Sequence, residues 1–502
     1  MKGSMQRVAL GRKFCIVPIA SALICALLGG ALAGCAHQKP IAEPPPLLAM
    51  PAGWTLGDQP GDQEWPDTDW WKRFGSAELS ELVEQAQKSN LEIAAAVARV
   101  RQAEAQAQIA GVPLVPAIDF SADANRDLPL GRNGSARSSS GALLQIAYEI
   151  DFWGKNAASL AAAEAALKAN RYDRQTVALT VTSGIVSTYL QVLSLHDRLA
   201  IAQEHVRNAE HVLLLVQAQQ SAGAASPLDL ARQRSAVAGQ QAAIPDLMQQ
   251  EREAQAALAI LLGRSSQAFR IGNHGLDTIE LPEVTPGLPS ELLTRRPDIR
   301  RSEAHLAAAN ANVALARAAL FPSIRLTGSM GAQSSALLSL FNGQNLLANL
   351  GASLVAPIFD AGRLKNERDL AIAQKHELVQ VYRSTVNAAL SEVDTALGQI
   401  RSLDEQRRLK STEMEQMRMA FDLSEIRYRV GAEDLMTVLD TQRALSDVQN
   451  ELGILKLKRL QATVSLFKAL GGGWQDDAGG NPGSNPGSNA GGNPGSNPGS
   501  GV

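Results

Sequence analysis

Aromatic residues are scarce: Trp, Tyr and Phe together make up 4% of a 502-residue chain that is 45% hydrophobic. Few rings are therefore on offer for stacking bases. Lys plus Arg number 47 against 50 Asp plus Glu, which leaves no basic footprint for nucleic acid. Cysteine is almost missing, with Cys15, Cys25 and Cys35 the three present, so a disulfide scaffold is excluded. Beyond residue 34 no run approaches the ~20 consecutive apolar residues of a membrane-spanning helix. There is no Gly-x-Ser-x-Gly elbow, no His-Glu-x-x-His and no phosphate loop. His196, His205 and His211 are spaced nine and six apart, not the three or four that would set two metal ligands on one helical face. The expectation is no enzyme, no cofactor and no metal.

The ends of the chain are informative. Lys2, Arg7, Arg12 and Lys13 precede an apolar run from Phe14 to Gly30, closed by the small residues Leu32-Ala33-Gly34-Cys35, which reads as a cleaved export signal over residues 1–34. Residues 35–60, rich in proline at Pro40, Pro44 to Pro46 and Pro51, are expected to be an extended tether. Residues 475–502 repeat Asn-Pro-Gly-Ser units; they carry too little apolar surface to bury and read as a disordered tail.

Between these ends the chain is duplicated. Leu91-Glu92-Ile93 and Pro116-Ala117-Ile118 correspond to Pro297-Asp298-Ile299 and Pro322-Ser323-Ile324, an offset of 206. After two inserted residues the offset is 208, and Ile150, Gly154, Gly223 and Leu262-Gly263 correspond to Ile358, Gly362, Gly431 and Leu470-Gly471. The repeated unit runs from about Leu91 to Gly263 and from Pro297 to Gly471, within repeats placed at 61–273 and 291–474 and joined by a linker at 274–290.

Each copy opens with an Ala-rich helix, Ile93 to Ala110 or Ile299 to Leu320, ended by Pro113 or Pro322. Period-2 alternation follows. Ile118, Phe120, Ala122 and Ala124 alternate with Asp119, Ser121, Asp123 and Asn125; after a polar loop from Arg126 to Ser140, Leu144, Ile146, Tyr148, Ile150 and Phe152 alternate with Gln145, Ala147, Glu149 and Asp151. The second copy repeats this with Ile324, Leu326 and Met330, then Leu350, Ala352, Leu354 and Ile358. Four strands of ~9 to 12 residues suit a tilted membrane crossing, but open edges are not tolerated in lipid. The smallest bacterial barrels use about eight strands, so chains must pool theirs. Two chains would fill the interior, and three, with twelve strands, leave room for a pore.

The remainder of each copy is helical. Ala157 to Ala222 holds no Pro and one Gly, enough for a helix of roughly 100 Å. Val192, Leu199, Val206 and Leu213 recur at sevens, interleaved by Leu195, Ala202, Ala209 and Val216, a heptad seam. The chain turns back at Gly223 and Gly431, and Pro245 is expected to kink the first returning helix.

Asp69-Trp70-Trp71-Lys72-Arg73-Phe74, Gly287-Leu288-Pro289-Ser290-Glu291-Leu292-Leu293, Arg295-Arg296-Pro297-Asp298-Ile299-Arg300 and Ala318-Ala319-Leu320-Phe321-Pro322-Ser323-Ile324 resemble the TolC family of outer-membrane factors, in its NodT lipoprotein branch, over about Trp54 to Trp474. The resemblance implies a fold that is mostly α with a transmembrane β part, a trimeric 12-stranded β-barrel continued by a periplasmic α-helical barrel. It implies a passive efflux conduit whose partners are a periplasmic adaptor (membrane fusion protein), an inner-membrane transporter of the resistance-nodulation-division type and outer-membrane lipid. Type I protein secretion and metal efflux remain alternatives, and a lipid-anchored coiled-coil scaffold is the structural one, although a scaffold would not need four alternating strands.

Several residues carry expectations from that resemblance. Leu32-Ala33-Gly34-Cys35 is similar to a lipobox, implying a covalent lipid on Cys35, where an ordinary signal peptide would leave the thiol bare. Ala36 then implies release to the outer membrane. Tyr428-Arg429-Val430-Gly431-Ala432 resembles the family's adaptor-binding and gating turn, with Gln220-Ser221-Ala222-Gly223-Ala224 its counterpart. Gly223 and Gly431 are equally expected to reverse their helices. Contacts of Tyr428 and Arg429 with the neighbouring hairpin are expected to hold the gate. Asp440 is implied to face an acidic constriction. Family members have a second acid where this chain has Thr437 and a latching arginine where it has Glu433; Asp229, the counterpart of Thr437, is the candidate to replace the acid.

Overall fold

The computed structural model describes residues 50–55, 65–128, 136–284, 286–340 and 342–474. The signal, Cys35, most of the tether and the 475–502 tail lie outside the described residues. Two short helices lead in, α1 (Ala77–Ser89) and α2 (Leu91–Gly111), followed by β1 (Ala117–Asp127), β2 (Arg137–Ile150), the 67-residue α3 (Lys155–Ser221) and the 35-residue α4 (Pro227–Leu261). The second copy comprises the one-turn α5 (Leu292–Arg295), α6 (Pro297–Ala318), β3 (Ser323–Ser334), β4 (Leu346–Val355), α7 (Arg363–Arg429) and α8 (Leu435–Ala469). Lengths and bounds of α7 and α8 repeat those of α3 and α4 at the 208-residue offset.

The strands form one antiparallel sheet in the order β1-β2-β3-β4. Its register aligns Ile118, Ile146, Gly328 and Leu350 in one row and Asp119, Gln145, Ser329 and Asn349 in the next. Strand pleating sends these rows to opposite faces, so one face is a continuous apolar field and the other is largely polar. β1 and β4 are exposed along their whole length, and each has one edge without a partner. Strand limits differ from expectation: β1 and β2 reach Asp127 and Arg137, shortening the presumed polar loop. Phe152 and Ile358 fall beyond the strands. Phe152 is drawn instead into an aromatic cluster at the strand–helix junction, edge-on to Trp153, which stacks on Phe321 at 4.6 Å.

Helices continue the strand order. α3 packs on α2 near the sheet and on α4 beyond it, α6 bridges α3 and α7, and α8 bridges α3 and α7 further along. The described chain is thus a wall four elements wide, first of strands and then of helices. Pro245 does not interrupt α4, which is continuous from Pro227 to Leu261; the ring removes one backbone donor, and the remaining bonds and the packed face carry the helix through.

Around the middle of the wall, chain segments wrap onto the helices and form the densest core. Trp70 stacks on Phe467 at 4.9 Å and meets Phe74 and Trp71 edge-on, over Ile185, Tyr189, Leu190, Leu193, Leu258 and Leu262. This explains a stretch of α3 apolar enough in composition to cross a membrane: half of it is buried against the chain itself. The stretch expected as a linker is folded down too, since Leu276 is buried and its N–H donates to Asp197 Oδ2 at 2.9 Å. Burial pushes the Tyr189 hydroxyl up to about 12, and it donates to Glu78 Oε2 at 2.9 Å.

The two copies solve one steric problem twice. Gly263 and Gly471 have φ of +68° and +91°, and a Cβ on either would sit 2.3 Å from the carbonyl oxygen of Ser89 or Arg295. Beside the first, Asn90 caps α2 and its Nδ2 donates to the Leu261 carbonyl at 2.7 Å. Beside the second, buried Arg296 occupies Asn90's place. Its Nη1 donates to the equivalent carbonyl of Ala469 at 3.0 Å and to Glu392 at 2.7 Å, while Nε and Nη2 grip Asp298 bidentately. The Arg295-Arg296-Pro297-Asp298 motif is therefore a packing device.

Candidate functional site

Two regions bear on function: the two-faced sheet and the hairpin tips at the far end of the wall. At the sheet's junction with the helices, Trp153 Nε1 donates to the Pro322 carbonyl at 2.8 Å. Phe152, Ile358 and Phe359 stand largely exposed nearby, with Phe359 90% accessible. Exposed aromatic rings beside an apolar strand band are the chemistry of a lipid–water boundary. On the other face Asp119 shares a row with Gln145, Ser329 and Asn349, Asp123 with Gly141 and Gln333, and Asn125 with Ser139, while Ser121 faces Leu143; this face is largely fit for water.

At the tips both glycines adopt the left-handed conformation, φ +77° at Gly223 and +75° at Gly431. Ala224 N–H donates back to Gln219 O and Ala432 N–H to Arg427 O, each at 2.8 Å, which closes both helices by the same motif. The helices that follow are capped by mirror-image pairs. Ser226 and Asp229 form a capping box; in the second copy Asp434 is the cap and accepts from Thr437 N–H at 2.9 Å. Asp229 is held below the usual carboxylate range by hydrogen bonds from the Ser226 hydroxyl and backbone, and Asp434 by those from Thr437. Where the first copy has Asp229 the second has Thr437, and its capping carboxylate is Asp434.

Tyr428 and Arg429 are placed differently from each other. Tyr428 is buried among Val212, Val216, Phe421, Leu435, Val438 and Leu445, between the two hairpins of one chain. Its hydroxyl is pushed up by burial and, secondarily, by Asp229, and it has no hydrogen-bond partner among the described residues. Its carbonyl accepts from Gln219 Nε2 at 3.3 Å. Within the chain Arg429 Nη2 pairs with Glu425, one turn back on α7, at 2.6 Å. Glu425 also faces His211 of α3 at 3.7 Å, so Arg429 reaches the first hairpin only through that shared carboxylate. Residues four apart on one helical face are neighbours, which makes this pair local to α7. Glu433 pairs with Arg427 at 3.3 Å.

Asp440 is exposed on α8 and has no hydrogen bond or ion pair among the described residues, unlike Asp229. Glu425, Gln219 and Asp434 escaped the sequence reading; the pairs Ser226-x-x-Asp229 and Asp434-x-x-Thr437 carried a signal for the caps, whereas the inter-hairpin roles of Gln219 and Glu425 carried none. No group of three or more His, Cys, Asp or Glu side chains with metal-site geometry occurs among the described residues.

A sheet apolar on one face and polar on the other, continued by helices of 67 residues, defines one sector of a membrane-spanning channel wall. The chain belongs to the outer membrane efflux protein family, whose model matches residues 82–264 and 288–472, once for each repeat. It is 43% identical over 481 residues to the pyoverdine export outer membrane protein OpmQ of Pseudomonas putida, covering 94% of this chain and 99% of the relative. The probable outer membrane lipoprotein SilC of Salmonella typhimurium is 29% identical over 88% of this chain and 96% of its own. Among solved structures, the outer-membrane channel OprN superposes with a TM-score of 0.80 at 26% identity, over 87% of this chain and 99% of the other. The protein is the outer-membrane channel component of an efflux pump, with the helical part of its wall extending into the periplasm; it conducts and does not catalyse.

Proposed function

We propose that three copies close into a twelve-stranded barrel and a helical tunnel that passes substrates from a periplasmic adaptor and an inner-membrane transporter to the exterior. The observation that carries this is the sheet itself. Its apolar face needs lipid, yet β1 and β4 leave two open edges that lipid does not tolerate. Native mass measurement in detergent is expected to give three chains; a stable monomer with full strand content would favour the scaffold instead.

The similarity to pyoverdine export proteins supports pyoverdine, or a compound like it, as cargo. A strain lacking the gene should retain pyoverdine in its periplasm, and undiminished export would remove this assignment. Metal efflux is separated by the same strain, which would then be metal-sensitive with normal pyoverdine release. A lipoprotein among the relatives and the Leu-Ala-Gly-Cys ending support a lipid on Cys35. Mass spectrometry of the mature N-terminal peptide should show the added acyl mass, and a bare cysteine would refute it. The gate reading puts the adaptor contact and the narrowest aperture at Gly223 and Gly431, with Asp440 lining it.

A further inference from the structure

We infer that His205 is an acid-sensitive catch between the two hairpins of one copy: a proton on its buried imidazole parts α3 from α8 behind the tips and favours the open aperture. The inference rests on the gate reading above and adds a trigger to it.

The place of His205 follows from the register of the seam. Arg198 Nε on α3 donates to Asn450 Oδ1 on α8 at 2.9 Å, and Gln461 Nε2 on α8 reaches the Ser187 carbonyl at 3.4 Å. The two contacts lie eleven residues apart on each helix, in opposite directions, so α3 and α8 run antiparallel in step. Seven residues on from Arg198 comes His205, buried on the same heptad face and roughly 24 Å along α3 from its end at Ser221. The same step back from Asn450 ends beside buried Gln442, with Ser446 one turn away.

What gathers there is polar and unsatisfied. His205 Nε2, Gln442 Nε2 and Ser446 Oγ are buried without a hydrogen-bond partner among the described residues. So is Oε1 of Gln233 on α4, whose Nε2 donates to the Ala209 carbonyl, one turn from His205, at 2.7 Å. Orphaned polar groups cost free energy while the seam is shut and recover it when water enters, so the closed seam is poised for parting. Nor does the repeat call for a histidine here: the counterpart of His205 on α7 is exposed Glu413, paired with Lys410 at 2.8 Å.

The charges around His205 favour its proton only weakly. Burial pushes the imidazole's pKa down, and Glu204 on its own helix and Asp447 on α8, both exposed, oppose this in part. Arg443 of α8 is exposed, α4 turns uncharged Gln233 and Val237 inward and leaves Arg234 exposed, and Lys410 of α7 is taken up by Glu413 and Glu451. A seam parted enough to admit water returns the imidazole towards its ordinary value of about 6.5. The parted form therefore takes up the proton first, and falling pH draws the hairpins apart.

The test places one reporter thiol in the seam, Ser446→Cys, and one on the exposed surface of α3, Gln203→Cys, in the full-length assembled protein, with the parent chain as background. Labelling of Ser446→Cys by a water-soluble maleimide, taken relative to Gln203→Cys at each pH, should rise by about threefold or more between pH 7 and 5. Single-channel conductance in planar bilayers should rise with it, and His205→Gln should hold both flat. Asp447→Asn removes a charge that eases the proton into the closed seam, so it should enlarge the acid response; a histidine that merely packs would leave the pH profile unmoved. Labelling that does not rise, or that rises equally with His205→Gln, overturns the catch. Labelling that rises while conductance stays level upholds the catch and removes the gate reading at the tips.

Discussion

Asp229 and Asp440 belong to counterpart helices, but their surroundings differ. Asp229 accepts from the Ser226 backbone N–H at 3.0 Å and from its hydroxyl at 2.7 Å, whereas Asp440 faces solvent unpaired. Asp229→Asn is expected to loosen the first tip by about 0.5–1 kcal/mol while leaving ion selectivity in place. Asp440→Asn should leave stability unchanged and reduce cation preference and block by multivalent cations in planar bilayers; unaltered selectivity would put the constriction elsewhere. His205 offers a pH handle. It is buried with Nε2 unpartnered, and burial pushes its pKa down, with Glu204 and Asp447 opposing only in part. The unfolded chain therefore takes up the proton first, and stability should fall as pH drops below about 6.5 towards the lowered folded value. His205→Gln should flatten the decline in melting temperature between pH 7 and 5; an unchanged slope would assign it to other groups.

At the scale of elements, the paired glycines offer a comparison between repeats. Gly263→Ala and Gly471→Ala each place a Cβ against a backbone carbonyl in a left-handed conformation, at an expected cost of about 1–3 kcal/mol apiece. A thermal or denaturant midpoint that moves for one and not the other would show that the repeats bear load unequally. Gly223→Ala has the same positive φ but open space around it, so it should cost less. Arg296→Ala leaves Asp298 and the Ala469 carbonyl without their buried donor and should cost about 2–3 kcal/mol.

For the whole molecule, the two faces of the sheet predict opposite responses to one charge. Leu350→Arg on the apolar face should cost about 2–4 kcal/mol in the membrane and deplete assembled protein in the outer membrane. Asn349→Arg, one residue away on the polar face, should assemble normally and shift conductance towards anions. Equal assembly of both variants would mean that the apolar face does not meet lipid. A wall with open edges along strands and helices alike also explains why one chain cannot be the working unit.

Much of this was legible because it is periodic. Alternation placed all four strands, the heptad at Leu195, Ala202, Ala209 and Val216 marked the face that α3 buries, and the repeat offset foretold two equal helical hairpins, since each of these patterns is imposed by local backbone geometry. Local chemistry also ended the helices at Gly223 and Gly431. What depends on residues distant in sequence was not legible: that Tyr428 turns inward between hairpins, that Glu425 faces His211 of α3, and that Leu276 packs down on α3. The sequence by itself determined the elements, their order and their two-faced character. Only the tertiary structure decided that Tyr428 is buried between the hairpins and that Arg296 takes the place of Asn90 beside the second paired glycine, because those outcomes depend on contacts between chain segments that no local period encodes.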